Sequence, residues 1–288
     1  LKKIAIKTSI FGRVSPQQKK LIIQTLKKAG RTVAMTGDGV NDILALREAD
    51  CSIVMAEGDP ATRQIANLVL LNSDFNDMPQ ILFEGRRVVN NITRIAPIFF
   101  IKTIYSFCLA LICILSVGLG PETMLIFPFI PIQITLIDQF IEGFTPFFLS
   151  FEKNDKPVEK NFLKKSMLLA LPSALMVIFS VIFLRIFGTN NGWTGQEIST
   201  LSYYLLGSIS LLSVIRASLP LNWFRVALIL ASTTGFFGTA ILFRDLIEIG
   251  VPSARTIPIY VFMMIVFVFI FIIATILQNR KNSAKIKA

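Results

Sequence analysis

Six apolar blocks, each near the roughly 20 residues needed to cross a bilayer as a helix, dominate the chain beyond Arg94. They run Ile95–Leu119, Leu125–Ser150, Met167–Phe187, Leu201–Leu219, Val226–Phe243 and Pro258–Leu277. Of the 288 residues, 53% are hydrophobic and 16% charged, too apolar a balance for an ordinary soluble protein. The blocks predict an all-α bundle of six transmembrane helices, with the lipid bilayer as its surroundings.

Charge placement orients that bundle. The connection from Lys153 to Lys160, continued by Lys164 and Lys165, is rich in lysine, as is the tail from Arg280 to Lys287. The connections around Glu122 and from Thr189 to Thr200 carry neither lysine nor arginine. Arg244 and Arg255 are exceptions, offset locally by Asp245 and Glu248. By the positive-inside tendency, both termini and the lysine-rich loop face the cytoplasm, and the even number of spans agrees. A multi-pass protein of the plasma (inner) membrane is expected. The net charge of +11 would also suit nucleic acid. Its basic residues, however, lie at the N-terminus and beside apolar blocks, where topology accounts for them, so nucleic acid is not expected as a partner.

Ahead of the spans, residues 1–72 alternate strand and helix patterns. Pro16–Lys28 carries Leu21, Ile22, Thr25 and Leu26 on a helical repeat, with proline at its start and Gly30 just past its end. Thr32–Thr36, Cys51–Val54 and Leu68–Leu71 read as short strands, the last two separated by a helix starting near Pro60. Such alternation predicts a parallel sheet, and the C-terminal ends of its strands are where these folds place ligands. The chain begins Leu1-Lys2-Lys3-Ile4 with no secretory signal pattern, as part of something larger would.

At the end of the Thr32–Thr36 strand stands Met35-Thr36-Gly37-Asp38-Gly39-Val40-Asn41-Asp42. Gly37 and Gly39 allow a tight turn, and the helix candidate Asn41–Ala49 opens on good capping residues. Asp38 and Asp42 suit a hard divalent cation such as Mg²⁺, and the backbone N–H groups at a helix start suit a phosphate. For a bare Gly-Asp-Gly the other reading is that both aspartates merely cap the helix.

The longer string, continuing Ile43-Leu44-Ala45-Leu46-Arg47-Glu48-Ala49-Asp50, closely resembles the hinge motif of the P-type cation-transporting ATPases. Their phosphorylation domain has an α/β haloacid-dehalogenase-like fold. The resemblance implies that Asp38 coordinates Mg²⁺ at an aspartyl-phosphate, that Asp42 supports the same site and that Thr36 and Asn41 line it, with Gly37 and Gly39 against the bound group. The stretch Phe11 to Lys19 resembles the segment that supplies this family's phosphoryl-contacting lysine, which would be Lys19. A compact ammonium suits phosphoryl oxygens; the other reading of Lys19 is a solvated lysine on an amphipathic helix. Met78–Thr93, a polar helix pattern running into the first apolar block without a glycine-rich linker, corresponds to the stalk of the fifth transmembrane helix. The expected organisation is a partial phosphorylation domain (1–77), a stalk helix (78–94), six spans (95–277) and a basic cytoplasmic tail (278–288).

The second apolar block holds Asp138 and Glu142, four residues apart and so on one helical face. A carboxylate at the centre of a span costs about 2.5–3.5 kcal/mol to insert. The two either form a structural hydrogen-bonded pair or bind a hard cation, with Gln133, Thr135, Gln139 and Thr145 as further oxygen ligands. Pro131 and Pro146 bracket them, where unsatisfied carbonyls offer further ligands. The segment is similar to the ion-binding part of the family's sixth transmembrane helix, which makes Asp138, Glu142 and Gln139 the candidate ligands of a transported ion. The first and fourth blocks lack the carboxylates of the calcium-pump pattern, so one ion is easier to house than two. Lys102, in the near third of its span, is either an internal counter-ion to Asp138 or Glu142 or a snorkelling lysine. Arg185 and Arg216 lie near span ends and read as snorkelling too.

Three cysteines (Cys51, Cys108 and Cys113) and no histidine make neither a disulfide framework nor a soft-metal site. The family's Asp-Lys-Thr-Gly and Thr-Gly-Glu strings do not occur. The resemblance therefore covers the C-terminal part of a pump, with ATP bound mainly by segments outside this chain and the missing N-terminal part as its partner. Alone, the chain is not expected to hydrolyse ATP. The expected function is Mg²⁺-dependent aspartyl-phosphate chemistry coupled to transport of a hard cation, Ca²⁺ first. The alternatives are a proton, K⁺ or Mg²⁺/Mn²⁺ pump of the same family, or an inactive membrane-anchored fragment. A tethered phosphatase leaves Asp138 and Glu142 unused, and a passive channel leaves Lys19, Asp38 and Asp42 unexplained.

Overall fold

The computed structural model describes residues 2–117, 126–158 and 161–287. The connection around Glu122, and Glu159 and Lys160 of the lysine-rich loop, lie outside them. The chain forms two compact units, Leu1–Phe83 and Glu84–Ala288.

The first unit opens with a short helix, α1 (Lys2–Lys7), which at six residues leaves no periodic pattern to read. Helix α2 (Pro16–Lys28) matches expectation because both its ends are determined locally. The Ser15 hydroxyl accepts the Gln18 N–H at 3.3 Å while the Gln18 side chain accepts the Ser15 N–H at 2.8 Å, a reciprocal capping box. Gly30, at φ +80°, then turns the chain away. Strands β1 (Ala34–Thr36), β2 (Cys51–Met55) and β3 (Leu68–Leu70) pair in parallel in that order, with Thr36 beside Ile53 and Ile53 beside Leu68. Helices α3 (Ile43–Glu48) and α4 (Pro60–Ile65) make the crossovers. The expected helix at Asn41 starts later, because Val40–Asp42 is a 3₁₀ turn. Ile23, Ala45, Leu46, Ile53, Val54 and Leu70 are buried as this unit's core.

A 40-residue helix, α5 (Met78–Val117), carries the chain into its apolar part. It and four others are long and apolar enough to cross a membrane: α8 (Phe162–Asn190), α9 (Gly195–Ala217), α10 (Trp223–Leu242) and the Ile257–Gln278 part of α11 (Ile257–Lys287). The block expected at Leu125–Ser150 differs. Its helix begins only at Pro131 and comes in three consecutive pieces: α6 (Pro131–Ile137), a π-helical segment Asp138–Phe144 and α7 (Thr145–Ser150). The reason is local. A residue before proline avoids the α region, so Pro128 and Pro131 delay the start, and Pro146 has no N–H for the carbonyl four residues back.

Helix α9 is the centre of the second unit, with Leu201, Tyr203, Leu205 and Ile209 fully buried on different sides of it. Hydroxyls seal its contacts: Ser213 meets Ser173 at 2.9 Å and Ser208 meets Tyr260 at 2.6 Å. Small residues allow close approach. A Cβ on Gly207 would stand 2.2 Å from the Phe236 ring, and one on Gly235 would stand 2.4 Å from the ring of Phe140. Gly235 thus lets α10 press directly on the π-helical segment that carries Asp138 and Glu142.

Candidate functional site

The aspartate loop leaves the C-terminal end of β1, at the sheet edge where a parallel fold presents ligands. Asp38 is exposed, and among the described residues its carboxylate has no ion pair. Its backbone is tied down instead: the Asp38 carbonyl accepts the Asp59 N–H at 2.8 Å. A Cβ on Gly58 would come within 2.9 Å of that carbonyl. Asp42 turns the other way and is 9% exposed. Its carboxylate takes the Lys19 ammonium at 2.6 Å. Gly37 makes this possible, because a Cβ there would lie 2.7 Å from Asp42 Cβ. The fold therefore brings Lys19, Asp42, Gly37 and Asp38 to one edge, with Thr36 half-buried and Asn41 exposed beside them. Neither aspartate side chain caps α3.

The donor set fits Mg²⁺ as a shared ion. No three acidic, cysteine or histidine side chains converge among the described residues. Asp38 nevertheless offers an unengaged carboxylate at a sheet edge, and Mg²⁺ is commonly held by one or two carboxylates plus waters and phosphate oxygens.

In the second unit the π-helical segment carries both Asp138 and Glu142, and π-bulges recur at functional sites. Glu142 is 5% exposed. The Lys102 ammonium donates to both Asp138 oxygens, at 2.6 and 2.7 Å. The pair lies on an accessible face, its side chains 35% and 44% exposed, and Gln139 is exposed as well. Pro146 leaves the Glu142 carbonyl without its usual N–H partner. Gln133 and Thr145 are engaged elsewhere. Gln133 donates to the Ile247 carbonyl at 3.0 Å and accepts the Ile130 N–H at 3.2 Å. The Thr145 hydroxyl meets that of Ser232 at 2.5 Å. Thr135 bonds back to the Pro131 carbonyl at 3.3 Å. Tyr105, one turn beyond Lys102 and 1% exposed, was not singled out in the sequence. Its buried hydroxyl has no hydrogen-bond partner among the described residues.

Sequence reasoning also missed a polar node at the lysine-rich end. Asn91 donates to the Ser150 and Glu152 carbonyls at 2.9 and 2.7 Å, and Asn90 to the Lys156 carbonyl at 2.7 Å. The Glu152 carboxylate takes Arg94 at 2.6 Å and Arg225 at 2.8 and 2.6 Å. Arg94 also donates to the Ala217 carbonyl. The hydrogen bond from Arg225, then that from Arg94, holds the Glu152 carboxyl below the usual glutamate range. The sequence signal was the adjacent Asn90-Asn91 pair, two amides side by side in a long helix.

Residues 2–50 match the model of the haloacid dehalogenase-like hydrolases. A probable cation-transporting ATPase of Streptococcus pneumoniae is 69% identical over 96% of this chain and 36% of its own length. The calcium-transporting ATPase CtpE of Mycobacterium bovis is 40% identical over 77% of this chain and 29% of its own. Human calcium-transporting ATPase type 2C member 1 is 31% identical over 64% and 20%. The chain spans about a third of the length of the first two.

Proposed function

We propose, on the premise that this chain is a relative of the cation-transporting P-type ATPases and resembles their C-terminal part, that it serves an ATP-driven pump for a hard cation, Ca²⁺ first. One observation carries the reading: a single chain holds both a phosphate-type aspartate loop and a carboxylate pair on a π-helical turn inside an apolar bundle. The calcium-transporting names of two relatives agree with the choice of ion.

At the loop, Asp38 would hold Mg²⁺ together with phosphoryl oxygens, while Asp42 holds the Lys19 ammonium in place to donate to those oxygens. Bound Mg²⁺ neutralises charge developing on the transferred group. The phosphorylated aspartate and most of the ATP site belong to segments that this chain lacks. We read residues 1–77 as a partial phosphorylation domain, 78–94 as a stalk, 95–277 as the membrane domain and 278–288 as a basic tail.

In the membrane, Lys102 neutralises Asp138. That leaves Glu142, its carbonyl and the exposed Gln139 to offer oxygens to one cation rather than two. The three pieces from Pro131 to Ser150, of 7, 7 and 6 residues, together match a hydrocarbon core of roughly 30 Å. They make a sixth span in this reading, with both termini in the cytoplasm. The Lys102–Asp138 contact favours a second reading, a proton or monovalent-ion cycle in which Lys102 stands in for a cation. Phosphorylation of the complete pump from ATP tests the loop chemistry. Asp38→Asn removes Mg²⁺-dependent phosphoenzyme, and an unchanged level with unchanged Mg²⁺ dependence would refute the role of Asp38.

A further inference from the structure

Most cavities in the second unit are apolar, but one at its lysine-rich end is not. It encloses about 810 Å³ between α5, α8, α9 and the 154–158 connection. Its basic residues are Arg94, Lys156, Lys165 and Arg216, and among the described residues no aspartate or glutamate lines it. Arg216 donates one nitrogen to the Leu169 carbonyl at 2.9 Å and sits 5.2 Å from the Phe271 ring centre. Its other terminal nitrogen, Nη1, is buried with no hydrogen-bond partner among the described residues, and so is Nη2 of Arg94. The neighbouring Glu152 carries one charge that Arg94 and Arg225 share, and among the described residues it pairs with neither Arg216 nor Lys156. Arg94 and Arg216 therefore both line this basic cavity, and each keeps a terminal nitrogen without an acceptor among the described residues. Buried donors of this kind are costly unless something accepts from them.

The position selects the acceptor. Arg94 directly precedes the first apolar block, Lys165 lies in the first turn of α8, and Arg216 is the penultimate residue of α9. Pro97, Ile98, Leu169 and the exposed Leu219 supply an apolar floor and rim. A basic mouth over an apolar floor at one end of several spans suits a lipid headgroup, since basic pockets between membrane helices bind anionic headgroups. Guanidinium groups are well matched to phosphate oxygens. A free phosphate would leave the apolar floor unused. We propose that this cavity binds one anionic phospholipid, its phosphate on Arg216 and Arg94 with Lys156 at the mouth, and its glycerol and acyl carbons along Pro97, Ile98 and Leu169.

Lipid retention tests this. The full-length protein is purified, exchanged into nanodiscs of phosphatidylglycerol or phosphatidylcholine, stripped with detergent and weighed by native mass spectrometry. One phosphatidylglycerol per chain should survive stripping that removes phosphatidylcholine. Arg216→Gln should reduce that retention at least ten-fold, and Arg185→Gln, at the far end of α8, should leave it unchanged. Lys156→Glu keeps the test valid should Arg216→Gln fail to fold, because Lys156 is exposed; it too should reduce retention at least ten-fold. Equal retention of the two lipids, or wild-type retention in both the Arg216 and Lys156 variants, would overturn the proposal. Release of the lipid by millimolar inorganic phosphate would overturn it as well, by assigning the cavity to the free anion.

Discussion

Replacing Glu152 by glutamine tests whether the polar node holds the lysine-rich end of the bundle together. In the native chain this carboxylate accepts three charge-assisted hydrogen bonds of 2.6–2.8 Å from two guanidinium groups. The three side chains are only 15–17% exposed. Exposed ion pairs contribute about 0–1 kcal/mol, whereas removing one partner of a buried pair costs about 3–5 kcal/mol. Residual water access argues for a value below that upper range, so Glu152→Gln should destabilise by about 2–3 kcal/mol. The assay is reversible unfolding in mixed micelles, wild type against variant. Acid provides a second arm. The folded-state value of Glu152 lies below its ordinary 4.5. Its contribution is therefore complete above that ordinary value and disappears as pH falls through the folded one. The two unfolding curves should differ at neutral pH and converge below the usual glutamate range. A difference under about 0.5 kcal/mol at pH 7, the size of an exposed pair, would refute the reasoning, and so would a gap that persists in acid.

Gly37→Ala should displace Asp42 from Lys19, since the new methyl would stand 2.7 Å from Asp42 Cβ. Phosphoenzyme formation in the complete pump should fall at least ten-fold, and wild-type kinetics would show the close approach to be dispensable. Topology predicts that cysteines placed at Asn191 and Lys287, in a background without Cys51, Cys108 and Cys113, react with an impermeant reagent from opposite sides of the membrane. Labelling of both from one side would contradict the orientation.

What was legible in the sequence was local. Helix α2 could be bounded because Ser15, Pro16, Gln18 and Gly30 determine its ends within a few residues. The aspartate loop could be recognised because Asp38, Gly39 and Asp42 lie within one turn. The long apolar helices followed from length alone. The second block's helix starts only at Pro131 because backbone sterics at Pro128 and Pro131, which hydropathy does not register, delay it. Longer-range partners carried no signal. Lys102 and Asp138 are 36 residues apart, and Glu152 is 58 and 73 residues from Arg94 and Arg225. Nothing in an unaligned chain tells a snorkelling lysine from a paired one. Gln133 and Thr145 looked like ligands by proximity in sequence, but they are hydrogen-bonded to Ile247, in the turn after α10, and to Ser232 within α10, both far along the chain.

The most direct test of the central claim is the cation dependence of phosphoenzyme formation in the complete pump, titrated with Ca²⁺, Mg²⁺, Mn²⁺, K⁺ and pH. Asp138→Asn, Glu142→Gln and Lys102→Met are measured alongside. Activation at micromolar Ca²⁺ is predicted for the wild type. Glu142→Gln should weaken it most, because that carboxylate is buried and has no basic partner like the one Asp138 has in Lys102. Asp138→Asn should weaken it less, and Lys102→Met should raise the apparent affinity at least ten-fold by freeing Asp138. If no substitution alters the dependence on any cation or on pH, the carboxylates on the π-helical turn are structural, and the account of this chain as an ion-binding part of a pump is contradicted.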